Sequence, residues 1–453
     1  MSNSSITLMT DGPVSKRIIA FAIPLFWGNL FQQLYNTADS LIVGNFLGNE
    51  ALAAVSSSSH LIFLMVGFFN GVSIGAGVVV GKFFGSKEYD KLHQSIHTIV
   101  AFGLICGVLL TIVGTLGTPW ILRLMGTPLD VLPKSITYFQ IYYMGSLAFV
   151  MYNFFVGILQ AIGDSRHPLI YLVVSSIINV ILDLLFIAVL GFDVGAAALA
   201  TVISQFISAL LCMYRLMKNP PEFRLYLRDI RIDSFYLKQA VNNGLPAGMQ
   251  NSIISVANIF VQSNINKFGK MAMAGCGTYA KIQGFAFLPI TCFSLALTTF
   301  ISQNLGAREY DRAKHGVIFG VLCGITVSEL IGVIIYFFIP KMIYAFSTTP
   351  AIISYGSANA RTDCLFYFLL AFSHCMAGIF RGAGKSHVPM YVMLLCWCII
   401  RVTFISIMIR MIPSIQVIFW TYPLTWLLSS ICFIIYYKKS DWIHGLEDLK
   451  TES

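Results

Sequence analysis

Apolar runs of 20 or more residues recur along the whole chain, and they constrain its fold more than any other feature. A helix of about 20 apolar residues spans the hydrocarbon core of a bilayer, whereas barrel strands alternate polar and apolar residues in segments of about ten. Charged residues make up 11% of the chain, against about 25% in soluble domains, so they are too few to cover a water-facing surface. The pattern therefore predicts an all-α polytopic membrane protein.

Twelve transmembrane helices account for these runs. The first run, residues 18–47, is too long for the apolar core of a signal peptide, which covers about 7–15 residues, so we interpret it as the first span. An even number of spans places both termini on one side of the membrane. The predicted spans are 15–45, 52–81, 92–117, 132–161, 167–190, 194–216, 236–266, 272–302, 313–340, 352–380, 387–411 and 414–437.

Lysine and arginine residues are distributed unequally between the two sides of the membrane. Of the 29, twenty fall in the termini and the loops on the same side, six in the opposite loops and three inside spans. Positive residues concentrate in cytoplasmic loops, so we expect both termini in the cytoplasm and the chain in a bacterial cytoplasmic (inner) membrane. The net charge of +9 then reflects topology, and we expect no nucleic-acid partner.

The two halves of the chain repeat each other. Residues 85–91 (GSKEYDK) match residues 306–312 (GAREYDR), and residues 157–168 (GILQAIGDSRHP) match residues 378–389 (GIFRGAGKSHVP). Both matches have the same offset, which aligns residue 85 with residue 306 and residue 168 with residue 389. Each half contains six spans and begins on the same side, which predicts two six-helix bundles related by pseudo-two-fold symmetry along the membrane normal. Such bundles can rock against each other and expose a central cavity to each side in turn.

The repeat also predicts the domain organisation. Pro24 and Pro246 lie near the start of the first span of each half, and they are candidate hinges, because proline interrupts helical hydrogen bonding. The predicted units are an N-terminal six-helix lobe at 1–216, a basic cytoplasmic linker at 217–235, a C-terminal six-helix lobe at 236–440 and a cytoplasmic tail at 441–453.

Several polar side chains fall inside the predicted spans of the N-terminal lobe. Asp39 and Asp183 lie past the middle of spans 1 and 5, and an intramembrane carboxylate is a functional candidate because its burial is costly. Asn179 shares a helix face with Asp183, four residues later, while Tyr138 and Thr201 lie at similar depth in spans 4 and 6. These groups suit either a proton shared by the two acids or a metal cation held by several oxygens.

Four segments carry a resemblance to a known family. They are residues 23–24 with 33–40 (QLYNTADS), 158–164 (ILQAIGD) with Pro168, 179–183 (NVILD) and 195–205 (GAAALATVISQ). Their order and spacing resemble the multidrug-and-toxin-extrusion (MATE) family, most closely its prokaryotic DinF-like branch. The resemblance implies cation-coupled export of small amphipathic molecules, with H⁺ or Na⁺ as the coupling ion. It implies a coupling site formed by Asp39, Asn179 and Asp183, supported by Tyr138 and Thr201.

The resemblance also frames the choice of coupling ion. We expect H⁺ rather than Na⁺, with Na⁺ at Asp39, Asn179 and Asp183 as the alternative, and we expect no other metal and no cofactor. Family members with a cation site in the C-terminal lobe place acids in spans 7 and 10. Here residues 250–252 read QNS, and His374 is the only ionisable group in the middle of span 10. A second cation site of that type is therefore not expected.

The predicted spans of the C-terminal lobe carry cations. Lys281, Arg361 and Arg401 lie in the outer parts of spans 8, 10 and 11. They could snorkel outward or pair with Asp363 or Glu329, or they could face the central cavity and favour zwitterionic or anionic substrates. The candidate cavity residues are Gln33, Lys281, Arg361, His374 and Arg401.

These features predict an antiporter that exports amphipathic small molecules or drugs by alternating access, as a monomer in the lipid bilayer. One alternative is a flippase or exporter of an anionic, lipid-linked substrate. A channel fits the repeat and the buried acids less well than a gated carrier does. No paired-histidine metal motif, nucleophile elbow or phosphate loop supports a membrane-embedded enzyme, so we expect a protein that is not an enzyme.

Overall fold

The computed structural model describes residues 8–124, 127, 129 and 131–447, without the side chains of residues 38–41, 43–45, 48–61 and 63 inside its first helix. This part of the chain is helical and contains no strand. The helices are α1 (Val14–Gly85), α2 (Tyr89–Leu124), α3 (Leu132–Met144), α4 (Ser146–Ala161), α5 (Arg166–Asp183), α6 (Gly195–Met217), α7 (Ser234–Asn266), α8 (Lys270–Gly306), α9 (Tyr310–Tyr344), α10 (Pro350–Asp363), α11 (Tyr367–Gly382), α12 (His387–Met393), α13 (Arg401–Met411) and α14 (Ile415–Lys439).

The predicted polytopic all-α fold is confirmed. Within the described residues, ten helical stretches are long and apolar enough to cross a membrane, and α3 with α4, bent by 47°, makes an eleventh. All eleven coincide with predicted spans. The seventh predicted span coincides with α7, whose buried amides, among them Asn243 and Gln250, make it more polar than the others.

The first helix contributes two spans, Val14–Thr37 and Leu64–Gly85. Pro24 in the first and Ser73 in the second line the same cavity, so both spans contribute to its wall. This helix packs most extensively against α7 and α8, and these contacts join the two halves of the chain.

The halves also exchange parts of their hydrophobic cores. The beginning of α1 contributes Ile18 and Phe21 to the core of the second half, and the beginning of α7 contributes Tyr236 and Ala240 to the core of the first half. Two halves related by a pseudo-two-fold axis make such contacts reciprocally. The sequence repeat is therefore also a repeat in packing.

The repeated motifs form equivalent turns. Lys87 and Arg308 have φ of 59° and 60°, and Gly163 and Gly384 have φ of 88° and 74°. After each of these glycines the next backbone N–H donates to a carbonyl five residues earlier, at 2.9 and 2.8 Å. A glycine in the left-handed region is a common way to end a helix, so both motifs terminate a helix in the same manner.

Three intramembrane ionisable residues lie where a helix changes its pitch. Asp183 ends α5 immediately before a π-helical turn, and Asp363 ends α10 immediately before a 3₁₀ turn. Arg401 begins α13 after a second π-helical segment. Such local departures from the α-helix are frequent at functional sites, because they redirect side chains and backbone groups.

Candidate functional site: a cavity between the two halves

A cavity of about 320 Å³ lies between the halves, walled by α1, α4, α5 and α6 on one side and by α7, α8 and α11 on the other. Its apolar lining includes Phe149, Tyr152, Val156, Leu172 and Leu295. Its polar lining consists of Asn29, Gln32, Asn70, Ser73, Asn153, Gln160, Ser165, Gln205, Gln250, Asn251, Thr291, Ser294, His374 and Arg381. A concave site with an apolar surface and a few polar groups suits an amphipathic small molecule.

The two walls correspond to each other through the sequence repeat. Four pairs of lining residues occupy equivalent positions of the repeat: Asn70 and Thr291, Ser73 and Ser294, Asn153 and His374, and Gln160 and Arg381. All four members in the first half are neutral. In the second half an imidazole replaces one amide and a guanidinium replaces another, so the positive charge of the described lining lies on the second wall.

Arg381 is a cavity residue that the span boundaries missed, because they place it in a loop. It lies inside α11, is 8% exposed and lines the cavity. Its Nη2 donates to Gln250 Oε1 at 3.5 Å, and its buried Nε has no hydrogen-bond partner among the described residues. The described lining contains no acidic side chain. The repeat could have revealed Arg381, since the matched motifs align it with Gln160.

The structure places His374 in the cavity wall, as the sequence predicted. Its ring meets the edges of Phe287 and Trp397, with centroid distances of 6.1 and 5.5 Å. Its buried Nε2 has no hydrogen-bond partner among the described residues.

The polar cluster of the first half lies close to this cavity. Asn179 and Asp183 are fully buried and Thr201 is 7% exposed. With the amide nitrogen of Asn179 facing the carboxylate, Nδ2 donates to Asp183 Oδ2 at 2.9 Å and Oδ1 accepts from the backbone N–H of Thr201 at 3.2 Å. Tyr138 is buried on α3, which packs against α6. The structure thus brings three of the predicted residues into direct contact.

The side chain of Asp39, the other predicted acid, lies outside the described residues. The connection between the cluster and the cavity runs along α6. Gln205 lines the cavity and follows Thr201 by about one helical turn. A change at the cluster can therefore reach the cavity through a single turn of one helix.

Arg401 is buried in the second half, away from the cavity lining, whereas one prediction placed it in the cavity. Its Nη2 donates to Thr425 Oγ1 at 2.8 Å and its Nη1 to Asn258 Oδ1 at 3.4 Å. The guanidinium also lies 4.6 Å from the ring centroid of Tyr422 and 5.3 Å from that of Trp397. Arg401 is therefore held by partners inside the second half, although its buried Nε has no hydrogen-bond partner among the described residues.

The other cations predicted for the cavity also lie elsewhere. Lys281 and Arg361 are exposed, and the guanidinium of Arg361 lies 5.8 Å from the ring centroid of Tyr336. Gln33 faces Gly284 of α8, while its neighbour Gln32 lines the cavity. Hydropathy gives the depth of a residue but not the helix face, which explains these differences.

The two candidate hinges occupy different surroundings. Pro24 lines the cavity within α1, and Pro246 is buried within α7 beside the contacts with α1. Each lacks a backbone N–H inside a long helix, so each marks a place where the helix can bend.

The end of the molecule that carries the repeated turns 85–91 and 306–312, here called the basic end, is closed. Met9 is fully buried, and its backbone N–H donates to Gln303 Oε1 at 2.9 Å. Gln303 Nε2 donates to the carbonyl of Ala161 at 2.7 Å, and Arg312 Nη2 donates to that of Met9 at 2.9 Å. Gln303 of α8 thus bonds both the N-terminal segment and α4 of the first half.

A larger depression of about 570 Å³ lies outside the spans at the basic end. Charges of both signs line it, and the Glu88 carboxylate there bonds Lys91, which holds the pKa of Glu88 below its ordinary value. The mixed charge and the position beyond the membrane spans separate this depression from the central cavity.

One group of possible metal ligands, His93, His97 and Asp229, occurs in the described residues. Both ring nitrogens of His97 are engaged, Nδ1 with the carbonyl of His93 at 2.6 Å and Nε2 with the backbone N–H of Tyr226 at 3.0 Å. The group therefore anchors the linker to α2.

Comparisons with known proteins agree with this architecture. The MatE family model matches twice, at residues 24–185 and 246–407, once in each half of the chain. The probable multidrug resistance protein YoeA of Bacillus subtilis is 28% identical over 82% of this chain and 81% of its own. An FAD transporter of Shewanella oneidensis is 25% identical over 77% of this chain and 78% of its own. The outward-facing structure of a multidrug resistance MATE family transporter superposes with a TM-score of 0.90 at 23% identity, covering 99% of this chain and 100% of that one.

Proposed function

Because the chain belongs to the MatE family, we propose that it is a cation-coupled antiporter that exports amphipathic small molecules by alternating access of its two halves. The cavity between the halves, closed at the basic end, carries this proposal. The excess of Lys and Arg at that end supports an orientation with both termini in the cytoplasm of a bacterial cell. We further propose that the protein works as a monomer in the inner membrane, needs no cofactor and catalyses no reaction.

The proposed coupling site is the cluster of Asp183, Asn179 and Thr201, together with Asp39. A proton, or alternatively Na⁺, binds there from the side opposite the basic end and removes the negative charge of the site. The loss of charge shifts α6, which carries Gln205 in the cavity wall, and α1 bends at Pro24. Ion and substrate need not touch, because each only has to favour one of the same two conformations.

One observation favours a second candidate function, export of an anionic molecule. The described cavity lining carries Arg381 and His374 and no acid. The similar protein named as an FAD transporter acts, by that name, on a molecule with an anionic pyrophosphate. An anionic, lipid-linked substrate belongs to the same class.

Efflux from proteoliposomes tests the proposed function. Ethidium is loaded, and a pH gradient and a Na⁺ gradient are imposed separately on vesicles with the wild-type protein or with Asp183→Asn. We expect efflux under the pH gradient that Asp183→Asn abolishes. Efflux under the Na⁺ gradient alone would transfer the coupling to a metal cation. A wild-type protein that moves neither ethidium nor an anionic dye under either gradient would contradict the proposal.

A further inference from the structure

We infer that the central cavity binds amphipathic organic anions, with Arg381 as the residue that holds the carboxylate or phosphate group. This inference rests on the proposed function, since it names the substrate class of the same cavity. A cavity of this kind would prefer anions, whereas a cavity for organic cations would carry negative rather than positive side chains.

The first argument is the state of the Arg381 side chain. It is more than nine-tenths buried at the cavity wall, its Nε lacks a partner among the described residues, and its contact with Gln250 is long, at 3.5 Å. A buried charge without a counter-charge is costly. An anionic group in the cavity would supply both the missing charge and the missing acceptor.

The second argument is that the fold does not require a cation at this position. Gln160 occupies the equivalent position in the first half, where a neutral amide of similar length lines the same cavity. Arg401 also has a buried Nε without a partner among the described residues, but it differs from Arg381 in its other contacts: it has a 2.8 Å hydrogen bond to Thr425 and two aromatic faces against its guanidinium. Arg381 has none of these contacts in the described part of the molecule, so its charge remains available to a ligand.

The third argument is the chemistry of the remaining lining. A planar guanidinium binds carboxylate and phosphate groups through paired hydrogen bonds. Apolar side chains on the opposite wall, including Phe149, Tyr152 and Leu172, can cover the body of an amphipathic molecule. Amide groups such as Gln160 complete the polar contacts without adding negative charge.

Binding to purified protein tests the inference without requiring transport. Carboxyfluorescein and FAD serve as anionic probes and ethidium as the cationic probe. The variants are Arg381→Gln, which copies Gln160, Arg381→Lys, which keeps the charge, and Lys281→Gln, a control at an exposed site.

We expect Arg381→Gln to weaken binding of at least one anion roughly 10- to 100-fold, as for the loss of a hydrogen bond to a charged group. Arg381→Lys should recover part of that loss, and Lys281→Gln should leave both affinities unchanged. Ethidium binding should stay constant or improve in Arg381→Gln. A monodisperse elution profile shows that the variants are folded.

Equal affinity of the wild type and Arg381→Gln for both anions, or no anion binding by the wild type, would overturn the inference. Anion binding that depends on Arg381 in a protein that transports nothing under either gradient would instead leave the inference intact and contradict the proposed function.

Discussion

Closure of the basic end depends on two glycines at equivalent positions of the repeat, and substituting them should shift the protein towards the opposite conformation. A Cβ added at Gly85 would lie 2.0 Å from the carbonyl oxygen of Gln303, and one added at Gly306 would lie 2.2 Å from that of Lys82. Residues 82 and 303 are themselves equivalent in the repeat. Each half therefore presses a helix end directly against the backbone of the other.

The distances set the size of the effect. Ordinary contact begins at 3.4 Å, so Gly85→Ala and Gly306→Ala require the backbones to separate by more than 1 Å. Overpacking of this kind typically costs about 1–3 kcal/mol. Because the clash exists only when the basic end is closed, the ratio of closed to open molecules should fall about 5- to 150-fold.

Distances between spin labels at Asp90 and Asp311, two exposed and equivalent positions beside the repeated turns, report this ratio. The labels require a background without the ten native cysteines. Gly277→Ala is the matched control, because Gly277 lies on α8 like Gly306 and its added Cβ meets no atom within 4 Å. Identical distance distributions for Gly306→Ala and Gly277→Ala would refute the reasoning.

Three further substitutions address other parts of the structure. Asp183→Asn should retain the fold, but its rate of gradient-driven efflux should fall at least tenfold. Exchange of substrate without a gradient should persist. Loss of both activities would contradict a role limited to coupling. Arg312→Ala removes the hydrogen bonds to the carbonyl of Met9, so amide hydrogen exchange near Met9 should accelerate; unchanged protection would mean that packing alone holds this segment. Arg401→Ala leaves a buried network without its cation and should destabilise the protein by about 3–5 kcal/mol, whereas Lys281→Ala should not; equal melting temperatures in detergent would contradict the assignment.

The fold could be predicted from the sequence because two strong signals coincide. Long apolar runs specify membrane helices whatever their neighbours are, and the constant offset of the repeat specifies how the halves are related. The sequence also predicts the polar helix α7 as a span, and its amides, such as Gln250, are buried between helices. Burial by other helices, rather than by lipid, makes such a polar span tolerable.

The site was only partly predictable, for a physical reason. Asn179 and Asp183 lie four residues apart on one helix, so their proximity follows from local geometry alone. Cavity lining depends on which face of each helix turns inward, and hydropathy does not determine the face of a polar residue near a helix end. The predicted boundaries therefore place Arg381 in a loop. Its depth alone makes Arg401 a candidate for the cavity, although its partners come from α7 and α14.

The proposed functional groups, Asp183 and Arg381, lie where the two halves stop being equivalent. The repeat pairs Asp183 with Phe404 and Arg381 with Gln160, so neither charge is repeated. The reciprocal contacts of Gly85 and Gly306 show that the packing at the basic end is symmetric. Symmetry alone gives neither a preference for a substrate nor a response to an ion. In the proposed mechanism the acid lies in one half and the cavity cation in the other, so that ion and substrate can act on one conformational equilibrium without competing for the same atoms.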